Sequence, residues 1–136
     1  MMTHPDHLQF LIPATLAPTP GYSHVVKVRG GQTIYVAGQV ALNASGTLVG
    51  RGDFRTQAQQ VFENIKTALA AVGADFSHVV KLNMYVVDRS QLPLLREVRD
   101  LYVNTQAPPA STLVEVRGLA QEEFLLEIEA IASLPA

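Results

Sequence analysis

Residues 53–73 read Asp53-Phe54-Arg55-Thr56-Gln57-Ala58-Gln59-Gln60-Val61-Phe62-Glu63-Asn64-Ile65-Lys66-Thr67-Ala68-Leu69-Ala70-Ala71-Val72-Gly73, and this stretch decides the fold. Phe54, Ala58, Val61, Phe62, Ile65, Ala68, Leu69 and Val72 recur at helical spacing and define one apolar face. Asp53 stands where an N-cap carboxylate can accept from the first free N–H groups, and Gly73 is a natural C-terminal stop. A long helix with a single apolar face needs a surface to cover, and the flanking segments supply strands.

On the N-terminal side, residues 24–28 and 33–40 read as strands joined by the turn Gly30-Gly31-Gln32, together a hairpin. Asn43-Ala44-Ser45-Gly46 forms a further turn, followed by a short edge strand at 47–49. Pro5, Pro13, Pro18 and Pro20 make residues 1–20 an irregular lead-in. On the C-terminal side, residues 78–87 read as a central strand. Ser90 caps a second helix that tolerates Pro93 in its first turn and offers Leu92, Leu95, Val98, Leu101 and Tyr102 for burial. Ala107-Pro108-Pro109 ends that helix, and strands follow at 111–117 and 124–131. The order β-β-(β)-α-β-α-β-β predicts one α+β domain spanning 1–136, a mixed sheet with two helices on one face.

Composition narrows the function. The chain has 136 residues, 48% hydrophobic and 16% charged, enough to bury a core and too apolar for disorder. Ten Lys plus Arg against twelve Asp plus Glu gives a net charge of -2, with no electrostatic case for nucleic acid or an anionic membrane as partner. No window is apolar enough to span a bilayer. The start lacks the basic cluster and apolar run of an export signal, and cysteine is absent. Thiolate chemistry is thereby excluded, and a cytoplasmic location is expected.

Strand alternation points to a site. Val80, Leu82, Met84 and Val86 oppose Lys81, Asn83, Tyr85 and Val87; Leu126, Ile128 and Ala130 oppose Glu127 and Glu129; Ile34, Val36 and Val40 oppose Tyr35, Ala37 and Gln39. One side suits helices. The other is too apolar to be freely solvated and too polar for a dry core. Another copy of the chain is the expected cover, giving a closed homo-oligomer with sites in the clefts between subunits.

Five segments, in order, resemble the Rid family of reactive-intermediate deaminases, also called YjgF-like proteins. They are Gly21-Tyr22-Ser23-His24, Val36-Ala37-Gly38-Gln39-Val40, residues 57–65, Val79-Val80-Lys81, and Leu126-Glu127-Ile128-Glu129-Ala130-Ile131-Ala132. The resemblance implies a chorismate-mutase-like α+β subunit, a homotrimer with three clefts, and cofactor-free hydrolysis of 2-imino acids to 2-keto acids and ammonia. It also implies substrate-lining roles for Tyr22 and the backbone of Gly38, and a water-orienting role for Glu127. The family pattern places a carboxylate-clamping Arg where this chain has Ser111, and often a Ser or Thr where it has Ala37.

Glu127 and Glu129, two apart on one strand, share a side; Glu127 is the candidate catalytic carboxylate. Ser111 and Thr112 lack a nucleophile motif and are read as pocket lining, with Tyr22, Ala37, Gly38 and Tyr85. His4, His7, His24 and His78 lack metal-ligand spacing, so no metal or cofactor is expected. No basic patch interleaved with aromatics supports RNA binding, although some family members carry an endoribonuclease label. The expected partners are a small molecule and further copies of the chain. The resulting expectation is a divergent hydrolase or deaminase of imines, enamines or related reactive metabolites, with low activity on simple 2-imino acids. A non-catalytic metabolite-binding or sensing trimer is the alternative.

Overall fold

The structure, a computed structural model, describes residues 3–136. The Asp53 carboxylate accepts the Thr56 backbone N–H at 3.1 Å and the Thr56 hydroxyl at 2.8 Å, so α1 (Phe54–Ala70) starts where the sequence places it. The same two bonds, backbone first, hold the Asp53 carboxyl below its ordinary pKa. Phe54, Ala58, Val61, Phe62, Ile65 and Leu69 are buried along one face. The helix ends two residues before its apolar pattern does, which leaves Val72 exposed beyond the cap at Ala71.

That face packs on a four-stranded sheet of order β3-β6-β4-β5, formed by Gln32–Gln39, Leu126–Leu134, Val79–Val86 and Ala110–Glu115. The β3–β6 and β6–β4 pairs are antiparallel. The β4–β5 pair is parallel, with α2 (Leu92–Arg99) in the crossover. Both helices contribute to one core with Val36, Leu82, Met84, Val86, Leu126, Ile128, Ala130 and Ala132. The mixed sheet with two helices is thus the α+β arrangement read from the sequence.

Four local expectations change. Residues 25–28 do not form a hairpin with β3. They form β2 (Val25–Val28), which pairs antiparallel with β1 (Leu8–Leu11) in a separate ribbon. The lead-in therefore carries a strand: Pro5 and Pro13 flank it, none lies inside it, and every N–H within it is free to pair. The edge strand expected at 47–49 reduces to a single bridge, Leu42 to Leu48. The second helix is preceded by a 3-10 turn at Arg89–Gln91 whose cap is Asp88, accepting the Ser90 N–H at 3.0 Å; Ser90 itself caps nothing. Leu101, assigned to the interior, is exposed.

Gln57 sits fully buried on the apolar face of α1. Its Nε2 donates to the carbonyls of Gly50 (3.1 Å) and Glu123 (2.9 Å), and its Oε1 accepts from the Leu125 N–H (2.9 Å). One side chain thus ties the entry of α1 to the turn that starts β6. Asn64, two helical turns on, donates to the carbonyls of Val40 (3.0 Å) and Leu42 (2.9 Å) and fixes the exit from β3. Replacing Gln57 by Leu should leave these backbone groups unpaired and cost about 2–4 kcal/mol, measured as a lower urea midpoint at unchanged m-value.

Tyr102 stacks on Phe62 at 5.2 Å and donates to Glu63 Oε2 at 2.7 Å. Burial first, and then the Glu63 hydrogen bond and charge, push its phenol from 10.0 up to about 12. A raised folded-state pKa means the contribution is intact below the unfolded value and is lost as pH rises through the folded one. Stability should therefore fall between about pH 10 and 12, and Tyr102→Phe should flatten that decline in urea titrations run across the range.

Candidate functional site

The open face of the sheet is assembled by register. Tyr85 pairs with Glu127, Asn83 with Glu129 and Lys81 with Ile131 across β4–β6, while Thr112 lies opposite Asn83 and Val114 opposite Tyr85 across β4–β5. Paired residues share a face, so Glu127, Glu129, Tyr85, Asn83, Lys81 and Thr112 all project away from the helices. A register shift between Val79 and Lys81 turns Val79, rather than Val80, into the core.

The two glutamates fare differently. Glu129 Oε1 accepts from Asn83 Nδ2 at 3.0 Å and from the Tyr85 hydroxyl at 3.2 Å. That hydrogen bond, and then the Glu129 charge, raise the Tyr85 phenol pKa. Glu127 adds its own charge to the same effect and, among the described residues, takes part in no hydrogen bond or ion pair. Lys81 Nζ, the cation on this face, donates to Thr112 Oγ1 at 2.8 Å.

The Glu127 carboxylate is seated by β3. Val36 pairs with Ala130 and Gln39 with Ile128, so β3 spends one more residue than β6 over this span, a bulge at Ala37-Gly38. Its consequence corrects the alternation read from the sequence. Tyr35 and Ala37 stay exposed, but Gln39 turns to the helix side opposite Ile128, and Ala41 rather than Val40 enters the core. A Cβ on Gly38 would lie 2.0 Å from Glu127 Oε2 and 2.8 Å from its Cδ. Only glycine lets the carboxylate lie against the β3 backbone.

Tyr22 and Ser111 belong to a second group. Ser23 is buried, its N–H donating to the Pro109 carbonyl at 3.1 Å and its hydroxyl to the Pro108 carbonyl at 2.6 Å, and it forms a parallel bridge with Ala110. That register sets His24 opposite Ser111 and Tyr22 opposite Pro109, and the Tyr22 and His24 rings meet edge-on at 5.7 Å. Ser111 pairs with Leu82 and alternates with Thr112, so it lies on the helix side of β5 while Thr112 is on the open side. Within one subunit, then, Gly38, Tyr85, Thr112 and Glu127 share a face, with Ala37 at the bulge, whereas Tyr22 and Ser111 line the outer edge of β5.

Sequence reasoning missed Arg99. It is buried at the end of α2, donates Nε–H to Asp100 at 2.9 Å and a terminal N–H to the Pro20 carbonyl at 3.1 Å, and lies where a Cβ on Gly21 would be. Gly21 has φ +98, so the segment leading to Tyr22 is docked on α2 by a guanidinium that a side chain would displace. The only signal was an Arg in the last turn of a helix.

The histidines are dispersed: His7 meets Ser133, His24 meets the Ala17 carbonyl, and His78 caps with Asp75. Among the described residues no three His, Cys, Asp or Glu side chains cluster as metal ligands would, and no helix is long and apolar enough to cross a membrane.

Comparison with known proteins identifies the family. The family described as Endoribonuclease L-PSP matches residues 13–134. A solved structure of the Rid-family protein YyfB from Yersinia pestis superposes with a TM-score of 0.85 at 39% identity, covering 94% of this chain and 99% of that one. The chain belongs to the Rid family. Protein DfrA of Myxococcus xanthus is 39% identical over 111 residues, 82% of this chain and 83% of the relative. A protein of Dermatophagoides farinae named 2-iminobutanoate/2-iminopropanoate deaminase is 34% identical over 125 residues, 89% of this chain and 93% of the relative.

For this Rid protein, the contact between Gly38 and Glu127 is open to a double-mutant cycle. Gly38→Ala should cost about 1–3 kcal/mol by overpacking, and Glu127→Ala in that background should recover most of it. Thermal and urea unfolding of the four proteins read the coupling.

Proposed function

We propose that this protein is a cofactor-free Rid-type hydrolase that deaminates imines, enamines or related reactive metabolites in clefts shared by neighbouring copies of a homotrimer. The observation that carries the reading is the Glu127 carboxylate, which is left without a partner on the open face while its neighbour Glu129 is engaged by Asn83 and Tyr85. A carboxylate so placed can accept a proton from a water as the water oxygen adds to the C=N carbon. The proton is passed to nitrogen to give a carbinolamine, its hydroxyl proton then moves to the same nitrogen as the C–N bond breaks, and a carbonyl product and ammonia leave. No electrons are transferred. The relative named 2-iminobutanoate/2-iminopropanoate deaminase supports this reaction class.

The trimer supplies what one subunit does not. Tyr22 and Ser111 on the β5 edge are separated from Glu127 by the sheet itself, so a cleft using both groups is built by setting the edge of one copy against the open face of the next. The open face, with Tyr35 78% exposed and Val114 41% exposed, is apolar enough to favour that cover.

Ser111 sets the substrate range. A neutral hydroxyl contributes about 0.5–1.5 kcal/mol to binding a carboxylate, against about 1.5–3 for a charged donor. Simple 2-imino acids, for which the carboxylate is the main handle, are accordingly poor substrates. The same neutral position favours one second reading, a trimer that binds and senses a metabolite without turning it over. Imines generated in place by an amino-acid oxidase test both. Glu127→Gln should lower turnover about 100-fold or more with an unchanged particle mass by light scattering. Unaltered turnover would refute the role of Glu127, and saturable binding by the wild type without product would establish the sensor.

A further inference from the structure

The N-terminal ribbon carries a feature that the deaminase reading does not use. In its register Gln9 pairs with Lys27, and the Arg29 N–H donates to the His7 carbonyl at 2.9 Å, so His7, Gln9, Lys27 and Arg29 project from one face. The opposite face carries Leu8, Phe10, Val26 and Val28. Asp6, His7, Leu8, Gln9, Lys27 and Arg29 line a cavity of about 110 Å³. At roughly 30 Å³ per water, that space admits an ion of phosphate size.

Charge and hydrogen bonding favour an anion there. Among the described residues neither Lys27 nor Arg29 pairs with a carboxylate, and Asp6 supplies the single negative charge on the lining. His7 stands on the same face. Its Nε2 meets the Ser133 hydroxyl at 3.0 Å and the Ser133 carbonyl at 3.2 Å, while its Nδ1 is buried with no partner. The Ser133 carbonyl can only accept, so that contact places the ring hydrogen on Nε2 and leaves Nδ1 an acceptor; the attraction for an anion comes from Lys27 and Arg29.

We infer that the face of the ribbon formed by His7, Gln9, Lys27 and Arg29 is a binding site for a phosphate group, either the inorganic ion or the phosphate monoester of a metabolite. Arg29 offers a fork of N–H donors, Lys27 a mobile charge and Gln9 a neutral amide donor. Being on the ribbon, the site is distinct from Glu127 and from the β5 edge.

The test is titration of the intact protein with inorganic phosphate and, separately, with glycerol 3-phosphate, at constant ionic strength, followed by calorimetry and by the His7 ring resonances. Saturable binding is expected, together with a shift of the His7 signals. Affinity should fall about tenfold or more in Lys27→Gln/Arg29→Gln, whose exposed side chains are not needed for folding, and rise in Asp6→Asn. Tighter binding of the monoester would assign the site to a metabolite, and tighter binding of inorganic phosphate to the free ion. No saturation by either probe, or equal affinity in the double variant, would overturn the inference.

Discussion

A carboxylate lying against a glycine backbone organises the working side of this molecule. For Glu127 to rest on Gly38, β3 must spend an extra residue at that point, and the extra residue reverses which side chains face inward for the rest of the strand. Gln39 leaves the open face, Ala41 enters the core, and Asn64 of α1 then holds the strand's exit through the Val40 and Leu42 carbonyls. The bulge therefore couples the position of one acidic group to helix packing on the far side of the sheet. Bulges beside functional groups commonly re-aim side chains in this way.

Two glutamates two residues apart on β6 show how little separates an engaged carboxylate from a free one. They share a strand and a face, and the difference lies in what stands beside them. Asn83 and Tyr85 both donate to Glu129, which fixes its orientation and raises the Tyr85 phenol. Glu127 faces a glycine backbone on one side and Tyr85 on the other, with the Tyr85 hydroxyl already committed elsewhere. Its lone pairs are left for water or a ligand, the condition a general base requires.

The sequence disclosed the layers because helical and strand periodicities were strong over α1, β4 and β6, where a fully buried face imposes its spacing. The boundaries of β3–β6 came within three residues for the same reason. What stayed hidden was local geometry without a periodic signal. The bulge at Ala37-Gly38 looks like ordinary alternation until the register is known, because glycine fits either face. β1 escaped notice because four residues between prolines carry too short a pattern, although those four residues contain no proline of their own. Gln57 and Arg99 sat in plain sight, but a polar residue on an apolar helix face reads as an exception until its backbone partners are seen. Of the candidate site, alternation grouped Glu127 with its strand neighbour Glu129 and Tyr85 with Asn83 and Lys81, whereas Gly38 came from the family resemblance and its place beside Glu127 depends on the bulge.

Ser111 illustrates the limit of sequence matching most sharply. Its alignment position suggested a seat beside Glu127, yet parity along β5 assigns it to the side occupied by Leu82 and Leu113, next to Tyr22 and His24. A residue on an edge strand can serve a site on either side of the sheet only if another chain approaches that edge. The separation of Ser111 from Glu127 is therefore not an argument against their joint use. It is the geometric reason that joint use demands a second subunit, and it ties the proposed role of Ser111 to the proposed homotrimer.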